Sequence, residues 1–477
     1  MTKRSLLTAL ALVAAIGTSG CGVGMRGPMP VYGQTSVGKF KAKSLHNLKN
    51  RFSKHHLVAR MAPGQASPVA GVKVREGVNG YQIHELPQGV SLDQAIAAYQ
   101  AASSVVSVEK LELYPLEETT TPVAAPAQAP LPMLAANDPY YFQQWSHAVT
   151  NVPRAWEVTR GREDVVVAVL DTGVDYTHPD LAGQVINGPD FAENKADSRD
   201  IDHHGTHVAG IIAAKADNGV GVAGIAPGTK VLALKIFEPY LEDGKFQGTF
   251  YNAFSLARAV QYAATQGGAK IINISAGIAD DELVETMFAF ARGKGVVICV
   301  SAGNKGSNQY TGAPKYADGV LAVHATDPQD RLARFSNYGT TLGVSAPGVS
   351  ILSTVPTYAN PYTGAAPHKT GYEMFNGTSM ASPFVAGVTA LVVSALMDGV
   401  EAQVKRQYGK SVKLRASDIP VTVVEDLIRQ SAVDLGRTGR DEMYGVGRID
   451  AGRALEAAAD AEWVSRATKE FVRNNRR

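Results

Sequence analysis

Val165-Val166-Val167-Ala168-Val169-Leu170-Asp171-Thr172-Gly173 is a continuous apolar run that ends on a carboxylate and a turn. A strand with one wet face alternates apolar and polar residues, whereas a run apolar at every position suits a strand buried on both faces of a parallel sheet. Residues 231–236, 271–275 and 296–300 also read as strands, and residues 208–216, 252–266 and 281–292 between them read as helices. Gly267-Gly268 stops the second helix. This succession predicts an α/β fold, a doubly wound, mostly parallel sheet with helices on both faces. Ligand chemistry in such sheets collects beyond the carboxyl ends of strands. Asp171, Ser275 and Asn304 all fall at or just after such ends.

A second stretch carries the chemistry: Phe375-Asn376-Gly377-Thr378-Ser379-Met380-Ala381-Ser382-Pro383, followed by an Ala-rich apolar run over residues 384–397. It reads as a tight turn that delivers Ser379 to the first turn of a buried helix, where Pro383 is tolerated. Ser379 is then either a plain helix cap or a nucleophile, and the second role requires a base. His204-Gly205-Thr206-His207-Val208-Ala209-Gly210 sets a histidine at the mouth of a helix, and Asp171 can orient it. Ser301-Ala302-Gly303-Asn304 supplies an amide suited to a developing oxyanion. Each piece also has a plainer reading. Asp171-Thr172-Gly173 is a possible structural turn, or half of a carboxylate dyad whose second copy the chain lacks. His203, His204 and His207 suit a metal, but no glutamate lies between them and Gly205-Thr206 is a poor helix interior. Asn304 alone is an ordinary turn residue. Together, in the order Asp…His…Ser, they converge on acyl transfer at Ser379.

The chain has 477 residues, 45% hydrophobic and 19% charged, the composition of a globular protein with a large core. Its net charge of +2 gives no pull toward nucleic acid, and two cysteines, Cys21 and Cys299, exclude a disulfide framework. Lys3 and Arg4, the apolar residues 6–16 and the small residues 17–20 make residues 1–20 an export leader. Its end resembles a bacterial lipoprotein signal, in which the cysteine becomes the lipidated first residue, although Thr18 stands where that pattern prefers Leu. Export is expected, with Cys21 a candidate lipid anchor to the membrane. Residues 21–54 read as a tether and residues 55–116 as a small β/α unit. Its strands are expected at 57–61, 81–86 and 105–113, and its helix at 93–102 behind the capping box Ser91-Leu92-Asp93-Gln94. A unit this small needs a partner surface. Residues 117–136 are a Pro/Ala/Thr-rich linker, and the large domain spans residues 137–460. Residues 398–420 read as a solvated insertion and residues 461–477 as an exposed basic tail.

With these residues in view, the chain resembles the subtilisin-like serine proteases over about residues 137–459. The resemblance rests on Val-Leu-Asp-Thr-Gly-Val-Asp ending at Asp175, the His-Gly-Thr-His-Val-Ala-Gly from His204, Ser-Ala-Gly-Asn ending at Asn304, and Gly-Thr-Ser-Met-Ala-Ser-Pro from Gly377. It implies a serine endopeptidase acting on proteins and peptides, with Asp171, His204 and Ser379 catalytic and Asn304 the oxyanion donor. An inactive, surface-tethered binding protein of the same fold is the alternative, and the intact triad argues against it.

Gly219-Val220-Gly221-Val222-Ala223-Gly224 fits a dinucleotide fingerprint, but it follows a helix and leads into a strand, the reverse of the required order. No organic cofactor is expected. The resemblance instead implies a loop around a structural calcium ion, held by Asn218, Val220 and Val222 with Asp180 and Asp138. A glycine turn beside unrelated acids is the plainer reading. The resemblance also implies that Ser275, Ala276, Gly277, Ser301, Ala302 and Gly303 wall the first specificity pocket, with Gly312 at a floor that admits large apolar side chains. Residues 55–116 resemble a propeptide, an intramolecular chaperone and inhibitor, with self-cleavage expected between residues 130 and 137. A monomer is expected.

Overall fold

The structure, a computed structural model, describes residues 51–76, 80–116, 136–242, 245–278, 281–308, 319–339 and 343–474. The leader, Cys21, most of the tether, nearly all of the linker and Gly312 lie outside the described residues.

The small unit consists of β1 (Arg51–Met61), β2 (Lys73–Glu76), β3 (Gln82–Glu85), α1 (Leu92–Ala101) and β4 (Val105–Pro115). Its strands pair antiparallel in the order β2-β3-β1-β4. The expected capping box opens α1: Gln94 N donates to Ser91 Oγ at 3.3 Å and Ser91 N to Gln94 Oε1 at 3.2 Å. Successive strand residues face opposite sides. Leu57 and Ala59 accordingly pack beneath Ala95 and Tyr99 of α1. Val58, Ile83, Leu111 and Leu113 face the other way and are closed over by Phe250, Tyr240 and Phe254 of the large domain. β1 begins inside the stretch read as tether, because Arg51 and Phe52 pair with Leu113 and Glu112. Long-range pairing orders these residues, and composition does not reveal it.

The large domain runs through β5 (Val166–Asp171), β6 (Val185–Asp190), α2 (His204–Ala213), β7 (Lys230–Lys235), β8 (Glu238–Glu242) and β9 (Lys245–Tyr251). It continues with α3 (Ala253–Ala264), β10 (Ile271–Ile274), α4 (Glu282–Gly293), β11 (Val297–Ser301), β12 (Leu321–Thr326) and β13 (Val344–Pro347). The last elements are β14 (Ile351–Thr354), β15 (Tyr372–Phe375), α5 (Thr378–Tyr408), α6 (Val421–Gln430), α7 (Ala451–Ala459) and α8 (Ala461–Asn474). Seven strands form one parallel sheet in the order β13-β12-β11-β10-β5-β7-β6. The opening run is buried on both faces, as its pattern requires. Val167 and Val169 pack with Val208 of α2 and Phe384 of α5, while Ala168 and Leu170 pack with Leu256 of α3 and Phe288 of α4. The winding direction changes between β5 and β10, so a crevice opens beyond their carboxyl ends.

Three longer stretches also depart from the sequence reading. The hairpin β8–β9 was not expected. It adds to the small unit's sheet, giving the order β2-β3-β1-β4-β9-β8, with Tyr114 opposite Tyr251 and Leu116 N donating to Thr249 O at 3.0 Å. Second, residues 398–420 are not a solvated insertion. α5 carries on through them for part of its 31 residues, burying Val400 and Val404, and the returning chain buries Leu414, Ala416 and Ile419. Lys270, itself buried, donates from Nζ to Ile419 O at 2.5 Å and to Gly295 O at 2.6 Å, tying this segment to the sheet. Third, most of the stretch read as a basic tail is α8. Val464, Ala467, Thr468 and Phe471 repeat at helical spacing, and the first three are buried in the core. Arg466, Lys469 and Arg473, interleaved with that stripe, mask it in the sequence.

α5 is long and apolar enough to cross a membrane by composition, but its apolar window is entirely buried in the fold. It is the core helix. Cys299 is a buried free thiol whose pKa burial pushes up.

Candidate active site

Asp171 ends β5 and His204 begins α2. His204 Nδ1 lies 2.8 Å from Asp171 Oδ1, with both side chains buried. A carboxylate only accepts, so Nδ1 carries the proton and Nε2 is the basic nitrogen. Two glycines allow the approach. A Cβ on Gly205 would stand 2.0 Å from Gly173 O and 3.1 Å from Asp171 Cβ, so no larger residue can follow His204 without moving the pair apart. Gly173 has φ +107, and a Cβ there would meet Ser198 O and Arg199 O at 2.5 Å.

Asp200, which the sequence reading did not single out, locks the helix to the strand end. It accepts from Thr206 N at 2.9 Å, Thr206 Oγ1 at 2.5 Å and Thr172 Oγ1 at 2.8 Å, and Thr172 Oγ1 in turn accepts from Gly205 N at 2.9 Å. Burial pushes Asp200 up to about 6 against the pull of these donors. His207 does not face the site: its ring stacks on Phe375 and its Nε2 lies 3.0 Å from Ile351 O and Glu373 O. Burial lowers it to about 3, so it is a neutral packing residue. Among the described residues no group of three or more His, Cys, Asp or Glu side chains is arranged to hold a metal ion, and His207 packs on Phe375 in place of joining His203 and His204 in a cluster.

Ser379 lies in the first turn of α5, but Pro383 falls in the second turn, not the first. Its position has a use. A proline there cannot donate to the carbonyl four residues back. The freed Ser379 carbonyl accepts instead from Ser275 Oγ at 2.8 Å. Ser275 Oγ accepts from Asn273 Nδ2 at 3.0 Å, and Asn273 Oδ1 accepts from Ser382 Oγ at 2.8 Å. This buried chain pins the start of α5 to the end of β10. Ser379 Oγ donates to Ser275 O at 3.2 Å. Asn273 and Ser382 had only an unspecific signal, a polar residue inside an apolar strand and one inside an apolar helix.

Asn304 follows β11, and its Oδ1 accepts from Thr378 N at 2.9 Å and Thr378 Oγ1 at 2.8 Å. Those two donors fix the amide so that Nδ2 presents its hydrogens on the other side. Nδ2 stands 3.6 Å from where a Cβ on Gly377 would be, beside the residue that precedes Thr378 and Ser379. Of the expected pocket walls, Ala276 and Ala302 are buried at adjacent strand ends, Ser301 Oγ donates to Ala276 O at 3.2 Å, and Gly277 O accepts from Tyr251 Oη at 2.5 Å. The Ser275 side chain is spent on the Ser379 carbonyl and so is a support, not an open wall. Gly303 N donates to Thr378 Oγ1 at 3.1 Å.

The residues implied for calcium come together at one loop. Asp180 Oδ1 accepts from Asn218 Nδ2 at 2.7 Å and its Oδ2 from Val222 N at 2.9 Å. Asp138 accepts from Asn218 N at 3.2 Å and Asp217 N at 2.9 Å. Asn218 Oδ1 accepts from Val220 N at 2.7 Å. Both carboxylates are buried, and burial, aided by the nearby charge of Asp138, holds Asp180 up at about 6 against the pull of its hydrogen-bond donors. Two buried carboxylates from separate segments, meeting an amide on the 218–222 loop, are a donor set that fits a hard cation.

Residues 162–447 match the subtilase family. The chain is 44% identical over 267 residues to a thermophilic serine proteinase of Bacillus sp. (strain AK1), covering 56% of this chain and 61% of that one. It is 38% identical over 260 residues to thermitase of Thermoactinomyces vulgaris, covering 54% and 85%. The structure is similar to that of fervidolysin from Fervidobacterium pennivorans, described as a keratinolytic enzyme related to subtilisin. The TM-score is 0.62 at 27% identity, over 85% of this chain and 61% of that one. The chain thus spans less than two thirds of the Bacillus proteinase and of the fervidolysin chain, but most of thermitase. By sequence and by fold the chain belongs to the subtilase family.

Proposed function

We propose that this chain is an exported serine endopeptidase that cleaves peptide bonds through an acyl-enzyme on Ser379. The observation that carries it is the buried 2.8 Å contact between His204 Nδ1 and Asp171 Oδ1 at the crevice where α5 presents Ser379. In the reaction Ser379 Oγ turns from the Ser275 carbonyl to His204 Nε2, gives up its proton and attacks the substrate carbonyl. Asp171 stabilises the imidazolium. Asn304 Nδ2 and the Ser379 N–H donate to the oxyanion, each such donor being worth on the order of 10²–10³ in turnover. His204 then protonates the leaving amine, and water repeats the sequence on the acyl-enzyme.

The finer readings follow the same frame. Residues 51–116 act as an inhibitory propeptide, supported by the shared sheet with β9 and by Phe250 closing the small unit's core. Self-cleavage falls between residues 130 and 137, and the chain is a monomer that prefers large apolar side chains in the first pocket. Asp138, Asp180, Asn218 and the carbonyls of Val220 and Val222 would hold a calcium ion, which would supply charge compensation and loop rigidity. Lipid on Cys21 would anchor the unprocessed chain until the linker is cut.

The test is mass spectrometry of the purified chain and its Ser379→Ala variant, with fluorophosphonate labelling. The wild type should shorten between residues 130 and 137 and label on Ser379, and the variant should do neither. An unlabelled, unshortened wild type would refute the proposal and favour a binding protein of the same fold.

A further inference from the structure

The loop that carries Asn304 has an unusual anchor. Asn337, 6% exposed, makes contact on both sides of Asn304. Its Nδ2 donates to Ala302 O at 2.9 Å, and its own N–H donates to Gly303 O at 2.9 Å. Its Oδ1 accepts from Lys305 N at 3.0 Å and from Ser307 N at 3.3 Å. One residue thus bonds the two positions before Asn304 and two of the three after it. The loop is shaped to admit it. Gly303 has φ +96, and a Cβ there would stand 2.5 Å from Asn337 Nδ2. Gly306 has φ +60, a Cβ there would stand 2.5 Å from Arg334 O, and Gly306 N donates to Phe335 O at 2.6 Å. Asn337 is itself held to the sheet, since the adjacent Ser336 Oγ accepts from Ala325 N of β12 at 3.1 Å and donates to Asn337 O at 3.0 Å.

We propose that Asn337 is a positioning residue for the oxyanion donor, setting where the Asn304 amide stands while Thr378 sets which way it faces. The inference rests on the endopeptidase reading above. Its physical basis is that an oxyanion donor works through preorganisation: the amide must sit within hydrogen-bond reach of a charge that exists only transiently. Thr378 fixes one rotation of the Asn304 side chain, but the position of its Cα depends on the loop. A carboxamide is required at 337, because the site demands one donor and two acceptances from a single short side chain. Aspartate keeps the acceptor, loses the donor to Ala302 O, and turns a carboxylate oxygen against that carbonyl.

Asn337→Asp and Asn337→Ala test this, each alone and combined with Asn304→Ala, with kcat and KM measured per fluorophosphonate-titrated site so that misfolded protein is not counted. With Asn304 intact, kcat should fall about tenfold or more, with KM changed less than about twofold, as for an interaction made in the transition state. In the Asn304→Ala background the same substitutions should change kcat by less than about twofold, since residues acting as one unit are not additive. Equal losses in both backgrounds would show that Asn337 supports the fold only, and unchanged kcat with Asn304 present would also overturn the inference while leaving the endopeptidase reading intact. If Asn304→Ala alone costs nothing, the oxyanion assignment and this inference fall together.

Discussion

Asp171→Asn separates two contributions of the proposed triad carboxylate that are usually lost together. Thr172 N donates to Asp171 Oδ1 at 2.7 Å, on the same oxygen that His204 Nδ1 contacts at 2.8 Å. Asp171 Oδ2 has no hydrogen-bond partner among the described residues. An asparagine at 171 therefore gains by placing its carbonyl oxygen at Oδ1, where two donors wait, and its NH₂ at Oδ2. In the opposite flip the NH₂ would face the Thr172 N–H. The productive tautomer, protonated at Nδ1, should survive, and only the charge that stabilises the imidazolium is removed. At an effective dielectric of about 20 and a separation of about 4 Å that charge is worth roughly 4 kcal/mol. At 1.36 kcal/mol per tenfold this is about a thousandfold in kcat. A triad whose tautomer is wrong loses about 10⁴. The assay is kcat on a chromogenic peptide over a pH series, with ¹⁵N-histidine NMR of His204 to assign the protonated nitrogen. Protonation at Nε2 in the variant, with a loss of 10⁴ or more, would refute the reasoning; so would a loss below about tenfold.

Three further outcomes are expected, all measured in the Ser379→Ala background to prevent self-digestion. Calcium added to the chelator-stripped chain should raise its thermal midpoint, by an amount equivalent to about 2.7 kcal/mol at one hundred times the dissociation constant; Asp180→Asn should remove most of that rise, and an equal rise in both chains would exclude this loop as the site. Burial lowers Lys270 to about 7, so between that pH and the ordinary lysine value the unfolded chain binds the extra proton and stability rises with pH. The contribution is up to about 1.4 kcal/mol per pH unit, and urea titrations at pH 7.5 and 9 should show it missing from Lys270→Met; equal slopes would contradict it. Arg75 of the small unit donates to Ala192 O at 2.9 Å and lies 3.8 Å from Glu238 and 3.4 Å from Glu85. Arg75→Gln should loosen the join by about 1 kcal/mol, read as roughly fivefold faster hydrogen exchange at the Leu116 amide, and unchanged exchange would make the contact incidental.

The local patterns of this chain were enough to determine its parallel sheet, its buried central strand and the four motifs that converge at the crevice. Period-2 and period-3.6 burial and turn chemistry are properties of neighbours in sequence, and a strand apolar at every position has few ways to be buried. Asp171, His204, Asn304 and Ser379 were legible because each sits in a motif whose glycines and small residues have no other obvious use. What the motifs lean on was not legible. Asp200, Asn273 and Asn337 are ordinary polar residues until the fold brings each against a backbone or side-chain group of another element. The order of β1 before residue 55, the β8–β9 hairpin, the burial of residues 398–420 and the docking of α8 depend in the same way on partners tens to hundreds of residues distant. Sequence spacing carries no information about such contacts, because their energy exists only once the surfaces have met.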